Sequence, residues 1–427
     1  MATRLESFRE AYSDLALMPL REQRELDKLR VRYGKSVLAE LMQLVEDDET
    51  QDGKTIFSGH RGCGKSTLLA EFGRQCEQNG FFVSFFSIAD SIEMTDVDHV
   101  NILFSIAVNL MDEAEMANVK ISESAKAAFL RWFATKTRIE IDQAEASGEV
   151  SFLKAVKSTL KVSSVIRDEL KQEFEPKISE LVAQINAIAA AIQNGTGKEL
   201  LVIIDDMDKL DLNVIRKVYD HIKALFLPGF RIIYTTPVAS LREASLWATM
   251  NTETNGQLVN MPVLKLFSQV ESRQERPVLI TENKERLCKI LRKRVPDELI
   301  EPEIVEEIVL KSGGVLREIV RIGRKCCQIC LREVRVSEMP EMVKINRAVF
   351  EKAIVSIRLD FEALLGKADY GILAQTYQNY QPDDQKDQAF LDMLHALHIL
   401  EYQNGEIWYD IHPVVMDLLK LKQIVPE

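Results

Sequence analysis

Five short apolar runs interrupt a chain otherwise patterned at helical spacing: KTIFS (54–58), FFVSFFSI (81–88), ELLVIID (199–205), FRIIYTT (230–236) and QLVNMPVLKL (257–266). The near-continuous hydrophobicity of LLVII suits a strand buried on both faces, and strands separated by helical segments predict a parallel sheet covered on both sides. The expected fold is therefore α/β, built on a five-stranded parallel sheet. The first run is bounded by Gly53 and Gly59. In the helix after it, STLLAEFGRQCEQ, Leu68, Leu69 and Phe72 recur at helical spacing, and Asn79-Gly80 supplies its stop.

Helical patterning dominates elsewhere. The first fifty residues carry two amphipathic pieces, SFREAYSDLALM and SVLAELMQLVEDD. Between the second and third strands, about 97–196 reads as helix with almost no Gly or Pro, far more than one crossover requires, so an inserted helical subdomain is expected. Within it, DELKQEFEPKISELVAQINAIAAAIQ fits a packed hairpin or a coiled-coil arm interrupted at Pro176. Beyond 280, TENKERLCKILRKRVP, EPEIVEEIVLKSGG and VLREIVRIGRKCCQICLREV predict a small helical bundle. From Lys367 two helices precede ILEYQNGEIWYDI, whose Asn404-Gly405 between alternating runs signals a hairpin, and the order predicts a winged helix. The expected organisation is an N-terminal helical segment (1–50), a core (51–280), a helical lid (281–365) and a winged-helix domain (366–427).

Composition narrows the classes. At 427 residues, two or three domains of about 100–200 residues are expected, and 46% hydrophobic with 28% charged residues is ordinary for a globular chain. A formal net charge of -12 gives no long-range attraction to nucleic acid or an anionic membrane. No apolar run reaches the roughly 20 residues of a membrane span, and MATRLESFREAYSD lacks a signal-peptide core, so a cytoplasmic location is expected. The six cysteines show no disulfide framework, and Cys327 and Cys330, with Cys326 beside them in a helical run, read as packed thiols, not a metal site.

Between the first strand and its helix stands GHRGCGKST, in which Gly59, Gly64, Lys65 and Ser66 satisfy G-x-x-x-x-G-K-[ST] in the strand-to-helix setting a phosphate loop needs. Gly62 and Gly64 allow the backbone to curl so that the amides of the loop, from Gly59 through Arg61, Cys63 and on to Thr67, face an anionic phosphate at the positive end of the helix. Lys65 is expected to neutralise the β- and γ-phosphates of ATP, Ser66 to ligate Mg2+, and Thr67 to reach the α-phosphate. The acidic partner comes after LLVII: Asp205 is the candidate magnesium carboxylate and Asp206 the candidate that orients the attacking water. Asp208 reads as a helix cap.

This arrangement resembles the AAA+ and STAND class of P-loop ATPases, which implies roles for two further regions. The pair Thr235/Thr236 ending the fourth strand would supply sensor 1, a polar contact to water or γ-phosphate. The stretch SGGVLREIVRIGRK resembles the sensor 2 pattern, which would set Arg317 over the γ-phosphate. The order of phosphate loop, lid and winged helix is similar to origin-recognition initiators and to bacterial defence ATPases, and an arginine finger, if present, would come from Arg242, Arg273 or Arg276.

Charge separates the uses to which ATP is put. The segment 367–427 holds four lysines against ten acidic residues, poorly suited to phosphate neutralisation on DNA. The basic cluster KERLCKILRKR (284–294) has six Lys or Arg and one Glu, and reads first as a solvated face. The expected function is an ATP-hydrolysing switch acting on a protein partner, an effector or sensor of the antiviral defence type, with ATP-dependent self-assembly as an option. The alternative is a DNA-associated ATPase of initiator or transposition-regulator type.

Overall fold

The computed structural model describes residues 3–121, 149–274 and 276–426. The predicted insertion therefore has its stretch 122–148 outside the described residues. Two compact units are present: Met1–Lys35, Gly59–Thr67 and Met261–Glu427 form one, and Ser36–Ser58 with Leu68–Asn260 form the other. These units do not obey linear boundaries, because the short loop after the first strand clusters with the C-terminal half of the chain.

The second unit is built on the sheet. Strands β1 (Lys54–Gly59), β2 (Phe81–Ser87), β3 (Glu199–Asp205), β4 (Arg231–Pro237) and β5 (Leu258–Met261) lie in the order β2-β3-β4-β1-β5, all parallel. The five apolar runs are these strands, the last shorter than its pattern implies. All residues of β1 and β4 are buried, as expected of strands covered on both faces. In the register, Ser87 at the end of β2 stands beside Asp205 at the end of β3. Parallel strands bring all their carboxyl ends to one edge, where ligands bind in open α/β sheets.

Ahead of β1 in the chain come α1 (Arg4–Asp14), α2 (Gln23–Leu29) and α3 (Lys35–Glu46), of which only α3 belongs chiefly to the sheet unit. Helix α4 (Lys65–Gln78) succeeds β1, with Leu68, Leu69 and Phe72 fully buried. Between β2 and β3 the described insertion helices are α5 (His99–Met116), α6 (Glu149–Val162), α7 (Ser164–Phe174) and α8 (Ile178–Thr196). Leu160, Leu170, Phe174, Leu181, Ile185 and Ile192 join the same apolar core as Ile204 and Ile232 of the sheet. Pro176 lies in a single 3-10 turn between α7 and α8, and both helices bury apolar residues in the sheet unit's core, so the segment is not a projecting arm. No described helix is long and apolar enough to cross a membrane.

The other unit is helical with one ribbon. Helices α9 (Thr281–Arg292), α10 (Pro302–Lys311), α11 (Leu316–Val336) and α12 (Arg347–Glu362) make a bundle, and Arg324 of α11 stacks over Tyr12 of α1 at 4.0 Å while donating to the Leu15 carbonyl. Cys326, Cys327 and Cys330 are buried inside this bundle. Helices α13 (Asp369–Asn379) and α14 (Gln388–His395) lead into an antiparallel ribbon, β6 (Ile399–Asn404) with β7 (Glu406–Ile411), closed by α15 (Pro413–Leu421).

Candidate functional site: a phosphate loop and an acidic strand end

Between β1 and α4, Gly59 to Gly64 forms the loop. Lys65 opens α4, and its buried ammonium donates to the carbonyls of Gly59 and His60, each at 2.8 Å. These two bonds fix the cation over its own loop at the amide end of a 14-residue helix. The first-turn amides of a helix and a lysine held at the same point make an anion site. Ser66 and Thr67 stand in the first turn of α4, both partly exposed. Thr67 accepts a bond from the Leu20 amide at 3.2 Å, so the hydroxyl assigned to the α-phosphate is engaged by the N-terminal segment.

Two more contacts brace the loop from residues that the motif did not name. The Tyr33 hydroxyl donates to the Gly64 carbonyl at 3.3 Å, its ring lies under Arg30, and burial pushes its phenol up to about 12. The Arg317 amide, in the first turn of α11, donates to the Gly62 carbonyl at 3.0 Å. Gly62 has φ +82, and a Cβ there would lie 2.3 Å from Arg317 Cβ, so the stem of Arg317 crosses the loop where only glycine leaves room. Cys63 is buried with its sulfur 3.9 Å from Lys65 Nζ, and Arg61 is partly exposed.

In the sheet unit the acidic groups meet at the end of β3. Asp205, Asp206 and Asp208 are all buried and can bring a carboxylate oxygen within 4.8 Å of one another, the one grouping of metal-capable side chains among the described residues. Asp206 adopts φ 70, the left-handed conformation that Asp tolerates better than most residues. Its Oδ2 accepts from Ser87 Oγ at 2.6 Å, and its Oδ1 pairs with Lys209 Nζ at 2.5 Å. Ser87 and Lys209 are therefore site residues that motif reading missed. A polar last residue in FFVSFFS was the available signal for Ser87; for Lys209 there was none.

Thr235 Oγ1 donates to the Ile204 carbonyl and accepts from the Met207 amide, both at 3.1 Å, bracing the turn that carries Asp205 and Asp206. Thr236 pairs with Ser240 at 3.0 Å. Asp208 is not the expected cap: it lies inside the 3-10 turn Met207–Lys209, and Asp211 caps the next helix by accepting from the Asn213 amide at 2.8 Å. A short side chain one residue before the helix reaches its second amide, which a residue three positions earlier cannot.

The three buried carboxylates suit a hard cation: they offer only oxygens, and their mutual repulsion in a low-dielectric setting is relieved by positive charge, part of which Lys209 supplies. Mg2+ fits this donor set.

Other predicted positions are occupied structurally. Arg273 pairs with Asp410 at 2.7 Å and stacks on Tyr377 and Tyr380, which removes it from the arginine-finger candidates. In the basic cluster, Arg294 is buried on the Leu29 and Ile290 carbonyls, Lys293 donates to the Arg30 carbonyl, and Lys284 and Arg292 pair with Glu306 and Asp297. Arg286 likewise pairs with Glu282, so five of the six cations, all but Lys289, serve packing or local pairs.

Strand order, phosphate loop and acidic strand end together define a P-loop NTPase domain. Residues 36–237 match the KAP family P-loop domain, a span that covers the sheet from before β1 through β4. No curated protein matches the chain. Among solved structures, the chain is similar to the Orc1 protein of Aeropyrum pernix in complex with DNA, at 9% identity over 97% of each chain with a TM-score of 0.42. An identity and a TM-score that low carry no functional inference.

Proposed function

We propose that the protein is an ATP-binding and ATP-hydrolysing switch. The observation that carries this reading is a loop that clamps Lys65 by its own carbonyls at a helix start; the sheet unit separately presents a buried carboxylate group at the end of β3. In this reading the amides of Gly59 and Arg61 to Thr67 bind the phosphates, and Lys65 neutralises the β- and γ-phosphates. Ser66 and Asp205 hold Mg2+, which when bound offsets the charge of the phosphates. Asp206, fixed by Ser87 and Lys209, orients and accepts a proton from the attacking water. Thr235 acts by holding that turn. Arg317, whose stem crosses the loop, distinguishes ATP from ADP.

The output is proposed to pass through the C-terminal winged helix to a protein partner in the cytoplasm, with self-assembly on ATP as a further possibility. Its ten acidic residues against four lysines favour a protein over a nucleic-acid surface. A regulatory role in antiviral defence rests on motif resemblance and is the biological setting proposed. Lys65→Ala tests the site: detectable MgATP binding should be lost, measured by titration calorimetry, and wild-type affinity in this variant would sink the phosphate-loop assignment.

A further inference from the structure

His60 is the second residue of the phosphate loop, a position to which the loop motif assigns no side-chain function. Its ring is buried, and Nε2 accepts from the backbone amide of Glu401 in β6 at 2.7 Å. An accepting Nε2 places the ring proton on Nδ1. The Glu401 amide is available because of the ribbon's register. Glu401 faces Tyr409, and the Tyr409 amide points away from β6 to the Tyr380 carbonyl, so this is a pair whose amides face outward. On the β6 side that outward amide ends on the phosphate loop.

The backbone of His60 is tied equally closely to the phosphate-binding cation, since its carbonyl is one of the two that hold Lys65. One residue thus grips the ribbon with its ring and Lys65 with its carbonyl. The neighbours of Glu401 hold the lid at the same time. Tyr402 Oη donates to the Gly313 carbonyl at 2.8 Å, and a Cβ on Gly313, at φ +60, would lie 2.5 Å from Leu400 Cδ1. Gly313 belongs to the turn that starts α11, whose Arg317 amide bonds the Gly62 carbonyl. Three consecutive residues of β6 therefore secure the loop directly and the lid turn beside it.

We propose that His60 is a positioning residue that makes docking of the C-terminal ribbon and nucleotide binding at Lys65 one coupled equilibrium. The proposal rests on the reading of this loop as a nucleotide site. Linkage then runs both ways: a nucleotide that orders the loop tightens the ribbon, and a loosened ribbon weakens nucleotide binding by the same factor.

The test uses the full chain and two readouts, MgATP affinity and hydrogen exchange of the Glu401 amide. His60→Leu cannot accept the bond, whereas the carboxamide oxygen of His60→Gln can. His60→Leu should raise Glu401 exchange and weaken MgATP binding by roughly tenfold, with exchange in β3 and β4 unchanged, and His60→Gln should recover most of both. In the wild type MgATP should slow exchange at Glu401. Tyr402→Phe, which loosens the ribbon without touching the loop, should weaken MgATP binding by roughly threefold, and stays informative if His60→Leu does not fold. Wild-type affinity and exchange in His60→Leu, equal damage by Leu and Gln, or no effect of Tyr402→Phe would each overturn the proposal. If Lys65→Ala abolishes binding while His60→Leu is inert, the nucleotide site stands and this coupling falls. If Lys65→Ala binds normally, the site reading itself fails.

Discussion

At the scale of single residues the site divides into atoms that a motif can name and atoms that only geometry can. Gly59, Gly64, Lys65 and Ser66 are named by spacing, because a phosphate needs amides and a cation at one fixed place. Ser87 and Lys209 are 119 and 3 residues from the carboxylate they hold, and neither separation is a pattern. Asp206 carries the sharpest expectation. Asp206→Asn keeps the shape and the bond from Ser87 but offers no base, so hydrolysis should fall by about 100-fold or more while MgATP affinity stays near wild type. Single-turnover hydrolysis beside a binding titration separates the two, and a parallel loss of both would make Asp206 structural or a metal ligand.

At the scale of elements, the limits of β1 to β4 were legible from continuous apolar runs and the end of α4 from Asn79-Gly80, whereas β5 ends at Met261, short of its apolar pattern. The ribbon forms at the Asn404-Gly405 signal, with Gly405 at φ +87 as a tight hairpin requires. What the pattern did not disclose was the polar interior where α11, α12 and α15 meet. His412 is fully buried at the start of α15, 3.9 Å from Glu318 and packed on Phe361, with Arg321, His398 and Lys311 also near. Burial, then the Arg321 charge, pushes its imidazole down to about 3 from 6.5, so the folded protein holds it neutral. Because the folded value lies below the unfolded one, this group's share of stability is complete above about pH 6.5 and is lost as pH falls toward 3. Its slope is about 1.4 kcal/mol per pH unit in that window. Urea unfolding at pH 7, 6 and 5 should show the decline, and His412→Gln should remove that part of the slope; an identical slope in the variant would show that other groups carry the acid sensitivity.

At the scale of the whole molecule, charge decides which partners are open to it. With a net charge of -12, an acidic C-terminal segment and a basic cluster in which five of six cations make internal contacts, affinity for random duplex DNA at physiological salt should not exceed the roughly 10⁻⁴ to 10⁻⁶ M of incidental electrostatics. Addition of ATP should leave it there. Fluorescence anisotropy across a salt series measures this. A tenfold tightening by ATP, with a salt slope that Lys289→Ala and Arg292→Ala flatten by about 0.9 each, would transfer the protein to the nucleic-acid-loading ATPases.

The sequence by itself determined the sheet, the phosphate loop and the identity of the acidic pair, because each depends on neighbours within a few residues: alternation or continuity of apolar side chains, glycines at a turn, a lysine at a helix start. Tertiary structure alone decided that the loop clusters with the C-terminal helical bundle and ribbon, that His60 ends on Glu401, and that Asp206 is held by Ser87 and Lys209. Hydrogen bonds across 341 and 119 residues depend on the closure of intervening chain, and no local pattern encodes where such a closure brings two atoms within 3 Å.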